Sequence, residues 1–256
     1  MLRRLKEVGL IWPALFAAAG VAFLVGLGWW QLERRAWKLD LIAKIEARAG
    51  AEPVPLAEAI KAGRRSGDVE YARVRARGRF LHDRESYVYM PGKGGPGYHV
   101  YTPLETQDGW LVLVNRGFVP EALKSPDRRP AGQEAGEQEV IGLVRLPTER
   151  SWLIPAGDPE QRLYFWPDYA GMLAAVSDPK DSFRRAPFFL DAVGEPGNPG
   201  GWPKGGTTRL ELPNRHLEYA LTWFGLAAAL AAVFAAFAWS RRRDQVRQQS
   251  AERHSR

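Results

Sequence analysis

The chain of 256 residues carries four histidines, and one of them stands where imidazole chemistry would count. His216 lies in Pro213-Asn214-Arg215-His216-Leu217-Glu218-Tyr219, a few residues before a long apolar run. On a helix beginning near Asn214, Tyr219, Ala220 and Trp223 follow it on one face at i+3, i+4 and i+7. Imidazole is an ordinary axial ligand for haem iron, and an aromatic, half-lipidic surface suits a hydrophobic macrocycle. For a lone histidine, residue types by themselves favour a plainer role: capping the helix start or hydrogen-bonding the neighbouring domain. Arg116, in Val114-Asn115-Arg116-Gly117-Phe118-Val119-Pro120, sits late in an apolar strand, where a charge must be paired or reach water. Its guanidinium could clasp a carboxylate bidentately, a haem propionate included. An internal salt bridge that fixes the strand end is the competing role.

Other chemistry finds little footing. His82-Asp83 falls at an expected turn, His99 alternates with tyrosines on an expected strand, and His254 is near the terminus. Gly92-Lys93-Gly94-Gly95-Pro96-Gly97 matches G-x-G-x-x-G, but a dinucleotide loop must open a helix and here a strand follows, with Pro96 inside the motif. A hairpin loop is the expectation. There is no G-x-S-x-G elbow, no H-E-x-x-H and no Walker loop. The absence of cysteine excludes disulfides, thiolate zinc sites, thiol nucleophiles and Cys-based copper chemistry.

The elements that must position His216 and Arg116 come from hydropathy. Leu10–Trp30 and Ala220–Ser240 contain no ionisable side chain, and a helix of roughly 20 residues is about 30 Å long, the thickness of a bilayer's hydrocarbon core. Both are expected to span a membrane as helices, which satisfy their own backbone polar groups. Trp12, Trp29, Trp30, Trp37, Trp223 and Trp239, six of the ten tryptophans, lie within or beside these runs, several at headgroup depth. A cleaved leader is the competing reading of the first run, but cleavage after Ala17-Ala18-Ala19 would leave an apolar stub.

The net charge of +7 then falls into place. Residues 1–10 hold +2 (Arg3, Arg4 and Lys6 against Glu7), and residues 241–256 hold +4 (six arginines against Asp244 and Glu252). Two short basic tails put both termini in the cytoplasm and the intervening domain on the other face. Arg34, Arg35 and Lys38 pull the other way, but long domains cross largely regardless of such charges. No nucleic-acid partner is needed to explain the basic balance.

The expected organisation is thus a basic cytoplasmic tail over 1–9, a first span over 10–30, a strand-rich domain over 31–219, a second span over 220–240 and a second basic tail over 241–256. Residues 31–49 continue the first span as a helix, with Leu32, Ala36 or Trp37, Leu41 and Ile45 on one face. In the domain, Val74, Ala76, Gly78 and Phe80 alternate with four arginines, a half-buried strand whose arginine row is solvated. Strands are expected at 86–90, 98–104, 110–119, 140–145 and 188–193, and Asp108-Gly109 marks a hairpin. Short helices are expected at 55–62 and 167–176. The fold class is a membrane protein with two transmembrane helices flanking an α+β, strand-dominated extracytoplasmic domain.

The same segments carry a likeness. Leu27–Ile42 (LGWWQLERRAWKLDLI), Gly109–Pro120 (GWLVLVNRGFVP), Tyr164–Asp168 (YFWPD) and Pro213–Ala227 (PNRHLEYALTWFGLA) resemble the surfeit-locus-one family over nearly the whole chain. The resemblance implies a non-enzymatic, chaperone-like factor that assists assembly of haem–copper cytochrome c oxidase, respiratory complex IV, in a bacterial inner membrane. It implies as partners the core oxidase subunit and the haem a biosynthesis machinery, with haem a bound transiently. It assigns His216 as axial ligand to the haem iron, Tyr219 and Trp223 as ring-packing neighbours, and Arg116 as propionate or structural partner. The family's usual Asn-Asn-His is here Asn214-Arg215-His216, and its Arg-Gly-Trp is Arg116-Gly117-Phe118. Both departures leave the histidine and the arginine in place. Against this stand a membrane-anchored periplasmic hydrolase, which would need two acidic residues facing one another in a deep pocket, and a purely structural two-span protein.

Overall fold

The computed structural model describes residues 10–92, 95–177, 182–210 and 212–254. The basic tail expected over 1–9, and Lys93 and Gly94 of the glycine-rich string, lie outside them. The described residues form two compact units. One joins the residues up to Ala43 with those from 212 onward, and the other is Lys44–Leu210.

The first unit takes in α1 (Ile11–Gly50) as far as Ala43, a helix that runs unbroken past the end of the apolar stretch and stops at a glycine, and the last helix, which begins at His216 and reaches His254. Each holds a window long and apolar enough to cross a membrane. The two pack antiparallel through small residues. A Cβ on Gly28 would meet the Phe224 ring at 2.6 Å, and one on Gly20 would meet Leu230 Cδ2 at 2.8 Å, so glycine at both positions lets the partner side chain seat against the α1 backbone. Ala220 and Ala227 are buried, whereas Trp12, Phe16, Phe23, Trp29, Leu221, Val233 and Trp239 are exposed. Apolar side chains facing outward around a helix pair are what lipid, rather than water, accommodates.

The second unit is a barrel. Its strands are β1 (Val54–Pro55), β2 (Arg73–Phe80), β3 (Ser86–Gly92), β4 (Gly95–Thr106), β5 (Trp110–Pro120), β6 (Glu137–Arg145), β7 (Leu163–Tyr164) and β8 (Arg184–Ala192). They follow the order β1-β2-β6-β8-β5-β4-β3-β7, and a further β2–β4 pairing closes β2, β6, β8, β5 and β4 into a ring. Closure occurs at the end of β2, where Gly78 pairs with Thr106 and Phe80 with Leu104. A Cβ on Gly78 would lie 2.1 Å from the Glu105 carbonyl oxygen, so only glycine admits this approach.

Alternation along β2 buries Val74, Ala76 and Phe80 inside the ring, while Arg75, Arg77 and Arg79 face outward. Arg77 pairs with Glu139 at 2.8 Å and Arg79 with Glu105 at 3.1 Å, which accounts for the arginine row as a solvated face. The barrel interior adds Leu104, Val112, Val114, Val144, Phe188 and Leu190, and α2 (Leu56–Ser66) packs Leu56, Ala59 and Ile60 against it. On the other face of β5, Leu111 and Leu113 join Met172, Leu173 and Val176 of α3 (Tyr169–Val176). With both faces covered, β5 is buried nearly end to end, as its continuous apolar sequence requires. Asp168 caps α3 by accepting from the Gly171 amide at 3.0 Å. The last helix is α4.

Candidate functional site

His216 opens α4, half-buried, and its first contact is with the other helix of its own unit. Nδ1 lies 2.7 Å from Oε1 of Gln31 in α1. A carboxamide oxygen accepts only, so this contact is a hydrogen bond in the tautomer that carries its proton on Nδ1. In that neutral tautomer Nε2 holds the lone pair, and among the described residues it makes no hydrogen bond. Tyr219 is 54% exposed and Trp223 is half-buried, one and two turns further along α4. The carboxamide oxygen of Asn214, just before the helix, is buried without a partner among the described residues.

Gln31 was missed by sequence reasoning, although a signal existed. In an antiparallel pair of spans the residue after the first run and the residues before the second lie at the same end, and Gln31 directly follows Trp30.

Arg116 belongs to the barrel unit, and its surroundings come from a β-bulge. Val100 pairs with Gly117 and Tyr101 with Asn115, so Arg116 is the extra residue of β5. A bulge re-aims its side chain, here inward, and Arg116 is 2% exposed. The neighbours in the motif hold the bulge. The Asn115 side chain accepts from the Gly117 amide at 3.1 Å and donates to Asp191 at 3.1 Å. Gly117 takes φ of +121°, and a Cβ there would lie 1.9 Å from the Lys204 carbonyl oxygen. That fit explains glycine after the arginine.

The guanidinium of Arg116 donates to the Gly132 carbonyl at 2.6 Å and to Asn198 Oδ1 at 2.9 Å, and stands 3.7 Å from Glu85 Oε1. It also lies over the Phe80 ring at 4.8 Å. Burial draws its pKa down to about 10, with Glu85 pulling the other way, so it stays a cation at neutral pH. Its Nε is buried without a partner among the described residues.

Glu85 is the hub of this cluster. It takes Arg129, also 2% exposed, in a two-nitrogen ion pair, and accepts from Tyr87 at 3.0 Å and Thr102 at 3.3 Å. Burial pushes its carboxyl up, but hydrogen bonds from His82 and Arg129, with the charges of Arg129 and Arg116, outweigh it and hold the pKa at about 2. His82 is part of this cluster and not a freely solvated turn residue. Nε2 faces the Glu134 carbonyl at 3.0 Å, and Nδ1 lies 3.4 Å from Arg116.

A cleft of about 310 Å³ opens beside Arg116 and is lined also by Phe80, Glu134, Glu139, Glu195 and Asn198. Three carboxylates around one already engaged guanidinium do not attract an acidic ligand. His99 is half-buried on β4, edge-on to Phe118, and burial lowers its pKa.

Residues 18–228, which take in most of α1, the whole barrel and the first turns of α4, match the model of the SURF1 family. The chain belongs to the SURF1 family. Among its relatives, Surfeit locus protein 1 of Rattus norvegicus is 38% identical over 235 residues, 85% of this chain and 72% of that protein. Surfeit locus protein 1 of Homo sapiens is 40% identical over 223 residues, 80% of this chain and 70% of that one. The SURF1-like protein of Monosiga brevicollis is 37% identical over 240 residues, covering 88% and 86%. This member of the SURF1 family is a two-span membrane protein with a strand-rich barrel between its spans.

Proposed function

We propose that this SURF1-family chain is a non-enzymatic assembly factor for haem–copper cytochrome c oxidase, helping haem a to enter the core subunit or stabilising that subunit meanwhile. It would act in a bacterial inner membrane, with both termini cytoplasmic and the barrel periplasmic. The orientation rests on the arginines directly after Ser240 and the cluster before Leu10. Its partners would be the oxidase core subunit, the enzymes that make haem a, and lipid.

The observation that carries the haem reading is the setting of His216: a half-buried imidazole at the start of α4, with Nδ1 2.7 Å from Gln31 Oε1 and Nε2 without a partner among the described residues. A neutral imidazole nitrogen with a free lone pair is a donor that would hold haem iron. Bound there, haem a would supply an iron centre to be handed on. The protein's own residues would hold one nitrogen toward it and offer Tyr219 and Trp223 on the same helix face as apolar packing. Arg116 enters as the structural partner of the pair foreseen for it. It holds the bulge against Gly132, Asn198 and Glu85, which supports a stabilising role over a propionate contact.

Deleting the gene and assaying oxidase activity with haem a content tests the assembly role. The expected result is a fall in active, haem-loaded oxidase, restored by the wild-type chain. Unchanged oxidase would refute the reading.

A further inference from the structure

We infer that Gln31 is a positioning residue: by accepting from Nδ1 of His216 it fixes the imidazole in the tautomer whose lone pair sits on Nε2. The inference deepens the haem reading and rests on it for its purpose, though not for its geometry. A free neutral imidazole favours the proton on Nε2, which would occupy the outward nitrogen and remove it as a donor to a metal. The 2.7 Å contact to a carboxamide oxygen reverses that preference by giving the Nδ1 proton an acceptor. It also fixes the ring's rotation, because Gln31 and His216 stand on different helices.

Those helices are held in register by two other points of close approach, Gly28 at Phe224 and Gly20 at Leu230. The contact is therefore made between two preformed elements, not by a side chain reaching from a loop. Metal-bound imidazoles are characteristically oriented this way, by a fixed acceptor on the nitrogen opposite the metal. A base held in one tautomer and one orientation suits a ligand that must be taken up and given back without rearranging the protein.

The test uses the full chain in detergent or nanodiscs, labelled with 15N-histidine. Four histidines give few signals, and His216→Ala identifies the one that matters. Wild type is expected to show His216 with a protonated Nδ1 and an unprotonated Nε2. Gln31→Leu should move it to the Nε2–H form, and Gln31→Glu, which keeps an acceptor, should restore Nδ1–H. A wild-type His216 already in the Nε2–H form, or a tautomer indifferent to Gln31→Leu, would overturn the inference.

Hemin titration is the second arm. Gln31→Leu should weaken binding on the order of tenfold, with recovery in Gln31→Glu. Equal hemin affinity in wild type and Gln31→Leu, with loss only in His216→Ala, would overturn the positioning role. No hemin binding by wild type, with the tautomers behaving as stated, would instead refute the haem reading and leave the tautomer lock standing.

Discussion

Arg129 meets Glu85 with both terminal nitrogens of its guanidinium, Nη1 at 3.2 Å from Oε1 and Nη2 on Oε2, and each side chain is 2% exposed. The pair lies among His82, Tyr87, Thr102 and Arg116. Buried charge of this kind is stable only while complete, since removing one member leaves the others desolvated and unpaired. Glu85→Ala should therefore cost about 3–5 kcal/mol, measured by thermal or denaturant unfolding of the full chain in detergent. A loss below about 1 kcal/mol would show that the cluster does not hold the barrel together.

The same carboxylate sets an acid limit. Its folded pKa, about 2, lies below the ordinary glutamate value of 4.5, so ionised Glu85 stabilises the fold above pH 4.5. That contribution, roughly 3 kcal/mol, fades as pH falls from about 4.5 toward 2. Asp191 has the opposite sign, because burial raises its pKa. The Glu85 effect is thus read as a difference: wild type should lose stability over this window relative to its own neutral value, and Glu85→Gln should lose markedly less.

Gly117→Ala tests the bulge. The new Cβ would need the space of the Lys204 carbonyl, and Phe118 and Lys204 exchange both backbone hydrogen bonds at 2.9 Å beside it. With φ at +121° the added strain is of the order of 3 kcal/mol, a Tm drop of roughly 6–12 °C in near-ultraviolet circular dichroism. An unchanged Tm would mean that the strand can shift without cost.

Particular residues show what a sequence can and cannot disclose. Two spans and a strand-rich middle were legible because apolar runs and period-2 alternation are local, and Val74 to Phe80 announces its buried face residue by residue. Ring closure was not, since the contact of Gly78 with Glu105 joins strands by an approach no periodicity encodes. Arg116 was visible as a charge in an apolar strand. Its partners, Glu85, Gly132 and Asn198, come from three separate segments and carry no mutual spacing. His216 drew attention by position alone, while Gln31 lies 185 residues away.

The helix pairing can be read chemically, because the chain has no cysteine of its own. Gly20→Cys with Leu230→Cys should be bridged by a short bifunctional thiol reagent, detected by intact-mass spectrometry as one bridging reagent per chain. Gly26→Cys with Leu230→Cys is the control, since a Cβ on Gly26 meets nothing within 4 Å among the described residues. Equal bridging in both pairs would contradict the seam.

Orientation follows from single cysteines labelled with a membrane-impermeant maleimide on spheroplasts. Trp152→Cys, at a site 85% exposed in the barrel unit, should label without lysis, and Asp244→Cys, after the second span, only with it. The reverse pattern would invert the topology.

The most direct measurement is the absorption spectrum of the chain purified from cells that make haem a. Wild type should carry a Soret band and the α-band of an axially ligated haem a, and His216→Ala should lose it while keeping its fold by circular dichroism. A wild-type spectrum without haem, or an equal haem spectrum in His216→Ala, would contradict the assignment of His216 as the ligand.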